Sequence, residues 1–399
     1  MNVLFLSLTS YDTLEKHNIY TDLLREFKKN GDKIYAVCPV QRRTNKPTAL
    51  IEEENASILQ VRTGNITQVN LIEKGISTML IGYQFVKAIK RYYNGVSFDL
   101  ILYPTPPITL ESVVRYFKKR DKAQTYLLLK DIFPQNAVDI GMMRKSGLKG
   151  ILYKFFRRKE KKLYAISDRI GCMSQANVDY VLKHNPEIDP AKVEICANSI
   201  EPQDMTISAE ARVALREKYG IPQDKKVFVY GGNLGKPQGI PFLIECLKAE
   251  KENKDAFFLV VGDGTEYGKL EAFVNEEKPQ NMKLLKRLPK EDYDRLVAAC
   301  DVGLIFLDHR FTIPNFPSRL LAYMQAGLPV LAATDPNTDI GKVITEGGFG
   351  WWCESNDVSA FRTAVAEAMA ADAAAVREKE IAFLYENYTA ETAYKTIMK

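Results

Sequence analysis

The sequence predicts an α/β protein of two doubly wound, Rossmann-like domains. Short apolar runs alternate with amphipathic helical segments along the chain, which is typical of βαβ units around a parallel sheet. The length of 399 residues corresponds to two or three domains. A polar stretch at 201–209 separates two series of strands. We therefore expect an N-terminal domain at 1–200, a C-terminal domain at 201–375, and a helical tail at 376–399 that packs back on the N-terminal domain.

The apolar runs place seven strands in the first domain and five in the second. Those of the first are residues 3–8, 33–38, 57–61, 99–103, 125–129, 169–173 and 193–196, and those of the second are 227–230, 257–261, 283–285, 302–306 and 330–333. Helical spacing of apolar residues predicts helices at 20–30, 71–93, 240–251, 268–275, 290–299, 317–326 and 358–370. Ligands of such sheets bind beyond the carboxyl ends of the strands, so two facing domains would form a binding cleft.

The composition argues against several classes of protein. No apolar run approaches the roughly 18 residues of a membrane-spanning helix, and the first residues are typical of a strand rather than a signal peptide, so we expect a cytoplasmic location. The six cysteines form no CxxC pair and the three histidines have no metal-ligand spacing, which favours buried thiols and no structural zinc. Asp292 and Asp294 form a DxD pair, but inside a predicted helix they point in different directions, and we interpret them as surface charge.

A glycine-rich segment, Y-G-G-N-L-G-K-P-Q-G, follows a strand at 230–239. Glycines let a ligand approach the backbone, and the helix that follows offers unpaired N–H groups and a partial positive charge. The segment therefore predicts a diphosphate site, with an ordinary strand-to-helix turn as the alternative. A second segment, V-G-D-G-T-E-Y-G at 261–268, has glycine spacing that does not fit a dinucleotide fingerprint. We expect no nicotinamide or flavin cofactor.

Two other strand ends carry charged residues. Ser318 and Arg319 follow Pro317 at a predicted helix start, where backbone N–H groups and a guanidinium are suited to an anionic ligand. A plain helix start with a solvated arginine is the alternative. Lys130 and Asp131 follow the strand at 125–129, a position that favours site residues, with a surface salt bridge as the alternative.

The segment at 144–162 is strongly basic, with nine Lys and Arg against a single acid, Glu160. Residues 1–200 as a whole carry 31 Lys and Arg against 20 Asp and Glu, which suggests that the first domain meets an anionic partner. Apolar residues at helical spacing predict a core stripe of Leu152, Phe155, Phe156, Leu163, Ile166 and Ile170. The basic face is either solvated or docks on anionic lipid headgroups through Arg157, Arg158, Lys161 and Lys162. Nucleic acid is the weaker alternative, because no known binding module accompanies the segment.

Together these motifs resemble those of a known enzyme family. GGNLGKPQG, FLVVGDGTEYGKLE, LLKRLPKEDYDRLVAACDVGLIFL and FPSRLLAYMQAGLPVLA occur in the order typical of family 4 glycosyltransferases of the GT-B fold. LLLKDIFPQNAVDIG and YPTPPITL resemble the capsule and O-antigen branch, similar to the N-acetyl-L-fucosamine transferases. The resemblance implies two facing Rossmann-like domains with an interdomain cleft. It also implies transfer of a sugar, an N-acetylated hexosamine, from a UDP-sugar donor to a lipid-linked saccharide at the inner face of the cell membrane, with retention and without a metal or other cofactor.

The resemblance assigns roles to residues at matching positions. The diphosphate loop would use Gly232, Asn233, Leu234, Lys236 and Gln238. Arg287 and Leu288 would approach the nucleobase, and Pro317, Ser318, Arg319 and Leu320 would contact the phosphates and ribose. Lys130 and Asp131 would be the catalytic pair, with Asp131 near the sugar and the acceptor hydroxyl. The glutamates that many relatives carry around the Pro-rich turn are replaced near Pro314 and Ala322.

Two other functions remain open from the sequence. A nucleotide-sugar 2-epimerase shares the twin Rossmann architecture, but its elimination chemistry needs carboxylates and histidines, and the chain has three histidines in all. A non-catalytic scaffold of the same fold is suggested by the missing glutamates alone.

Overall fold

The computed structural model describes residues 1–66, 69 and 71–399, with the backbone alone at residues 71, 72, 74, 148 and 149. Contacts divide the chain into two compact units. The first unit comprises Met1–Glu201 and Ala390–Lys399, and the second comprises Pro202–Thr389. In each unit a largely parallel sheet is covered by helices on both faces, as the alternation of strands and helices predicts.

Within the described residues, the first unit contains eight strands. They are β1 (Asn2–Leu6), β2 (Lys33–Gln41), β3 (Ala49–Glu53), β4 (Ala56–Thr63), β5 (Leu100–Pro104), β6 (Gln124–Leu129), β7 (Arg169–Cys172) and β8 (Val193–Ile195). Its helices are α1 (Thr21–Lys29), α2 (Leu71–Tyr92), α3 (Glu111–Asp121), α4 (Gln135–Asp139), α5 (Gly147–Ile166), α6 (Gln175–His184) and α15 (Ala390–Ile397). The strand order is β3-β4-β2-β1-β5-β6-β7-β8, in which β3 pairs antiparallel with β4 and the others pair in parallel.

Two apolar layers enclose the sheet of the first unit. On one face α2, α3 and α5 contribute fully buried side chains such as Phe85, Phe117 and Leu163. On the other face α1 packs against α15, with the rings of Phe27 and Tyr394 in edge-to-face contact at 4.8 Å between centroids. The last ten residues therefore complete the first unit, whereas residues 376–389 belong to the second. The predicted tail at 376–399 is divided between the units.

The second unit contains six strands. They are β9 (Lys226–Asn233), β10 (Ala256–Asp263), β11 (Met282–Leu285), β12 (Val302–Phe306), β13 (Val330–Thr334) and β14 (Gly350–Glu354). Its helices are α7 (Ala209–Lys218), α8 (Ile240–Ala249), α9 (Tyr267–Glu277), α10 (Lys290–Ala298), α11 (Arg319–Ala326), α12 (Ile340–Glu346), α13 (Val358–Ala370) and α14 (Ala373–Asn387). All neighbouring strands in the order β11-β10-β9-β12-β13-β14 pair in parallel.

The strand order of the second unit locates its binding edge. The order along the sheet reverses between β9 and β12, and ligands of doubly wound sheets bind beyond the carboxyl ends of the strands at such a point. The corresponding point of the first unit lies between β1 and β5. Among the described helices, none combines the length and the apolar character that a bilayer crossing requires. The six cysteines are buried and unpaired, as predicted.

Candidate functional site

The glycine-rich loop leaves the sheet at the carboxyl end of β9. Gly232 is exposed and has a φ of +126°, a backbone conformation that residues with side chains rarely adopt. The chain then turns inward, so that Leu234 is fully buried and its N–H donates to the carbonyl of Asp263 at 2.9 Å. Gly239, with a φ of +56°, begins α8. The loop therefore exposes backbone at the edge where the strand order reverses.

The second glycine segment supports the first. Gly262 lies beside Gly232 in the β9–β10 pairing, and a Cβ on Gly262 would come within 2.1 Å of the Gly232 carbonyl oxygen. A Cβ on Gly264 would lie 2.4 Å from the carbonyl oxygen of Leu234. These two glycines are needed because the loops are in direct backbone contact, which explains their spacing without a dinucleotide.

Arg319, the first residue of α11, reaches the end of β9. Its guanidinium carbon lies 4.2 Å from the centroid of the Tyr230 ring, within cation–π distance. A Cβ on Gly232 would lie 2.8 Å from Nη2 of Arg319. Two segments that are far apart in the sequence thus meet at one place. No carboxylate in the described part of the chain forms an ion pair with Arg319, whose titratable neighbours are tyrosines.

Three tyrosines surround this guanidinium: Tyr230, Tyr293 and Tyr323. The Tyr323 hydroxyl lies 3.0 Å from the Val229 carbonyl oxygen and accepts a hydrogen bond from the Gly231 N–H. The buried Tyr293 hydroxyl lies beside Gly231, and it interacts with the Tyr323 hydroxyl. Burial raises the pKa of Tyr323 to about 12 and the pKa values of Tyr293 and Tyr230 above their ordinary value, so the three tyrosines around Arg319 stay neutral.

The loop after β12 braces the glycine-rich loop from the other side. The Asp308 N–H donates to the Pro237 carbonyl at 3.0 Å. Its carboxylate accepts from Nε and Nη2 of Arg310 at 2.8 and 2.6 Å. Burial alone would raise the pKa of Asp308, but the hydrogen bonds and charge of Arg310 outweigh burial and lower it. The sequence gives no sign of this pair's role, because an acid and a base two residues apart are common in surface loops.

The remaining residues predicted to bind the donor occupy three kinds of position. Asn233 and Lys236 are exposed at the loop surface, whereas Gln238 is partly buried and accepts hydrogen bonds from Asn233 Nδ2 and the Gly235 N–H. Pro317 and Ser318 lie at the start of α11, and Leu320 is fully buried. Arg287 is exposed and Leu288 partly buried just beyond β11, two strands from β9, or about 10 Å along the sheet.

The DxD pair takes part in ordinary ion pairs. Asp292 and Asp294 lie on α10, where Asp292 is 3.9 Å from Lys218 and Asp294 pairs with Lys290. Among the described residues, one group of three side chains has metal-ligand proximity: His17, Asp22 and Glu201. Arg25 lies in its centre, with Nη2 at 2.7 Å, 2.6 Å and 2.9 Å from these three side chains, so a guanidinium already provides the positive charge.

Lys130 and Asp131 lie just beyond β6 in the first unit, partly buried and without a mutual ion pair. The Lys130 ammonium donates to the Cys196 carbonyl at 3.4 Å, and burial lowers its pKa. Burial raises the pKa of Asp131 to about 6, although Asn136 Nδ2 donates to its Oδ2 at 2.6 Å. Oδ1 of Asp131 is buried with no hydrogen-bond partner among the described residues. Such perturbed groups at a strand end are typical of functional sites.

The basic helix α5 differs from its prediction in two respects. Leu152 and Phe155 are 49% and 39% exposed, so the predicted core stripe is wrong for both, while Leu163 is fully buried. Arg157 pairs with Glu160 at 2.5 Å and also donates to the His184 carbonyl and to Asn185, which ties it to the fold.

The other three basic residues proposed for docking differ among themselves. Lys161 is exposed but pairs with Glu187 at 2.9 Å. Arg158 and Lys162 are exposed, and no described acid pairs with them. The Lys149 side chain lies outside the described residues.

Comparison with known proteins identifies the kind of enzyme. Residues 212–384 match the family described as Glycosyl transferases group 1. The chain is 26% identical over 323 residues to a probable glycosyltransferase, WbjE of Pseudomonas aeruginosa, covering 80% of this chain and 78% of that protein. It is 23% identical over 276 residues to the putative colanic acid biosynthesis glycosyl transferase WcaI of Escherichia coli K12, covering 68% and 66%.

The structural comparison covers both units. The structure of Anabaena Alr3699/HepE in complex with UDP is similar with a TM-score of 0.69 at 15% identity, covering 100% of this chain and 98% of that chain. This likeness shows the fold, and the family match together with the glycosyltransferase relatives shows the kind of enzyme. Residues 212–384 therefore match the glycosyl transferases group 1 family, and the chain is a glycosyltransferase with the GT-B fold.

Proposed function

We propose that this enzyme transfers an N-acetylated hexosamine from a UDP-sugar to a lipid-linked saccharide, with retention of the anomeric configuration, in the biosynthesis of capsule or O-antigen polysaccharide. The name of one relative supports a polysaccharide pathway, since WcaI is described for colanic acid biosynthesis, and the name of WbjE supports sugar transfer. The similar Anabaena protein was solved with UDP, which supports the choice of nucleotide.

One observation carries the donor assignment. Arg319 and the exposed backbone of Gly232 meet at the carboxyl end of β9, and no described carboxylate neutralises the guanidinium. An unpaired guanidinium beside an exposed glycine backbone is suited to a phosphate, because a phosphate accepts two parallel hydrogen bonds from an arginine. A diphosphate bound here would also meet Lys236, which is exposed on the same loop.

The transfer chemistry follows from these charges. The bond between the anomeric carbon and the diphosphate oxygen breaks, and UDP leaves with an additional negative charge. Fixed N–H groups, Arg319 and Lys236 stabilise that charge as it develops, because they need no rearrangement at the moment of reaction. The acceptor oxygen bonds to the anomeric carbon and its hydroxyl loses a proton. No metal is required in this scheme, since the protein supplies the positive charge.

We assign the acceptor side to the first unit. Asp131, with a pKa near 6, is largely ionised at neutral pH and accepts the proton of the acceptor hydroxyl. Lys130, whose pKa is lowered by burial, holds a polar group of the sugar or acceptor. The exposed Arg158 and Lys162 on α5 face the anionic headgroups of the membrane that holds a lipid-linked acceptor. The enzyme then works as a peripheral protein at the inner face of the cell membrane.

Incubation with a panel of UDP-sugars and a lipid-linked saccharide acceptor tests this function. Mass spectrometry of the products distinguishes the possible activities. Growth of the acceptor by one N-acetylhexosamine supports the proposal. Conversion of the nucleotide sugar into its epimer without acceptor supports the epimerase alternative. No turnover of any donor, with UDP still bound, supports a non-catalytic scaffold. The Arg319→Ala variant is the matched control, because it removes the proposed phosphate contact and leaves Asp131 unchanged.

A further inference from the structure

A cavity of about 690 Å³ lies beyond the carboxyl end of β4, beside the first turns of α2. Arg42 and Arg62 line it together with the apolar side chains of Ile76 and Leu80. The position is one where open α/β sheets bind ligands. The wall of the cavity therefore combines positively charged and apolar side chains.

In the polar part of the cavity, two side chains lack a described partner. Arg42 Nη2 is 3.4 Å from Glu73, whereas no acidic residue in the described part of the chain pairs with Arg62. Two guanidinium groups against one carboxylate leave a net positive charge. Oε1 of Gln84, which also lines the cavity, is buried without a described hydrogen-bond donor. The lining is thus suited to an anion that carries a hydroxyl group, and arginine is the side chain best matched to phosphate.

The apolar part continues out of the cavity along α2. The exposed side chains of Ile76, Met79, Leu80 and Tyr83 follow one another at helical spacing, and Tyr83 is 68% exposed. We call these four residues the α2 stripe. On the opposite side of the helix Phe85 is fully buried in the core. Exposed apolar side chains that adjoin one another in this way are typical of surfaces that bind an apolar partner.

The first turns of α5 extend the same apolar edge. Ile151, Leu152 and Phe155 are exposed there, Ile151 by 67%. Helices that follow parallel strands begin at the carboxyl edge of the sheet, so the first turns of α2 and α5 lie at one edge. Both helices pack against the short 3-10 turn at Ile108–Leu110. Hydrocarbon and positive charge therefore occur together along this edge of the first unit.

We propose that the cavity binds a single phosphorylated lipid, with its phosphate between Arg42 and Arg62 and its hydrocarbon along the α2 stripe. A free phosphate would leave the stripe in water. An uncharged amphiphile would leave the two arginines without a counter-charge. A phosphorylated lipid satisfies both parts of the lining at once. The inference does not depend on sugar transfer, so it can fail or succeed independently of the proposed function.

Isothermal titration calorimetry of the whole protein with short, soluble probes tests the proposal. The lipid probes are dihexanoyl phosphatidylglycerol and farnesyl diphosphate, below their micelle concentrations. Inorganic pyrophosphate and glycerol 3-phosphate represent the headgroups, and octyl glucoside represents an uncharged amphiphile. We expect at least one phosphorylated lipid to bind ten or more times tighter than its headgroup and than octyl glucoside. The tighter of the two lipids identifies the source. Equal binding of lipid and headgroup, or of lipid and octyl glucoside, would overturn the proposal.

Two variants locate the binding. Replacement of both Arg42 and Arg62 by serine removes the phosphate contacts, and Leu80→Ser removes hydrocarbon contact, where each methylene contributes about fourfold to a binding constant. Each is expected to weaken lipid binding roughly tenfold or more without a change in melting temperature, because all three side chains are exposed. Arg295→Ser and Tyr385→Ser, exposed in the second unit, are the matched controls. Unchanged lipid affinity in both cavity variants would place the lipid elsewhere.

Discussion

Replacement of Gly232 by alanine tests the proposed diphosphate site directly. The new Cβ would lie 2.8 Å from Nη2 of Arg319, closer than a carbon and a nitrogen atom approach without displacement. The φ of +126° adds strain, because side chains are rarely tolerated there. The guanidinium therefore has to move away from the end of β9, which is where we expect it to hold a phosphate oxygen.

The size of the effect follows from the contact that is lost. A hydrogen bond to a charged group contributes about 1.5–3 kcal/mol, and about 1.4 kcal/mol corresponds to a tenfold change in affinity. Displacement of Arg319 should therefore weaken UDP binding about 10- to 150-fold. Gly232→Val should weaken binding further, because its branched side chain also fills the space above the loop.

Isothermal titration with UDP gives the measurement, and Gly95→Ala gives the control. Gly95 also has a positive φ, +79°, but a Cβ there meets no atom within 4 Å. The control places a side chain at another positive φ, which costs about 1–2 kcal/mol of stability, in the first unit and away from the loop. We expect both variants to lose stability and Gly232→Ala alone to lose affinity. Unchanged UDP affinity in a folded Gly232→Ala protein would refute the assignment of the diphosphate to this loop.

Four other predictions follow from the described contacts. Activity should survive EDTA, and loss of activity that manganese or magnesium restores would contradict the metal-free scheme. Replacement of Arg158 and Lys162 by serine should reduce sedimentation with phosphatidylglycerol vesicles about 10- to 30-fold, at roughly 1 kcal/mol for each charge; equal binding to neutral vesicles would count against a charged docking face. The raised pKa of Asp131 means that the native state keeps a proton which the unfolded chain loses, so its carboxyl lowers stability as the pH rises from about 4 to about 6. Urea unfolding between about pH 4 and pH 6 measures this fall in the free energy of unfolding, and the fall should be smaller in Asp131→Asn. Tyr293→Phe removes a buried hydroxyl that interacts with the Tyr323 hydroxyl and should change the free energy of unfolding by no more than about 1.5 kcal/mol, and a larger destabilisation would contradict this assignment.

The sequence is informative about strands that are buried on both faces. Continuous apolar runs mark β9, β10 and β12, and the structure has strands at each of them. The two strands that the sequence does not predict, β3 and β14, each lie at an edge of their sheet. β3 has the sequence A-L-I-E-E and is only partly buried, while β14 begins with a glycine followed by two partly exposed tryptophans. An apolar sequence pattern arises where a strand is buried. An edge strand that is only partly buried lacks this pattern, and its sequence resembles that of a loop.

The site could be predicted in its parts but not in its assembly. The glycine loop and Arg319 each indicate anion binding from local sequence alone. Their contact depends on the strand order that brings β9 beside β12, and no local pattern contains it. Tyr293 and Tyr323 were missed because they occur on helices as ordinary apolar positions. Their roles appear once Gly231 and Gly303 are found to leave room for their rings.

Helix α5 shows the opposite limit. Helical spacing groups Leu152 and Phe155 with Leu163, yet the first two are exposed. Periodicity reports that a face is apolar, and it cannot distinguish a face that packs on the core from one that meets another partner. Likewise, the charge pattern of the sequence does not distinguish Arg157 from Arg158, although Arg157 forms an ion pair with Glu160 and a hydrogen bond with Asn185.

The alanine at position 322 is consistent with a free guanidinium at Arg319. Residues three apart on a helix lie on the same face, so a glutamate in place of Ala322 would be within reach of Arg319 and would compete with a bound anion. With alanine there and neutral tyrosines around it, Arg319 keeps a charge that no described carboxylate compensates. Holding such a charge partly buried costs free energy in the unliganded protein. A diphosphate bound beside Gly232, as we propose, would remove this cost, and the site would then hold the nucleotide without the acidic residues that many relatives carry.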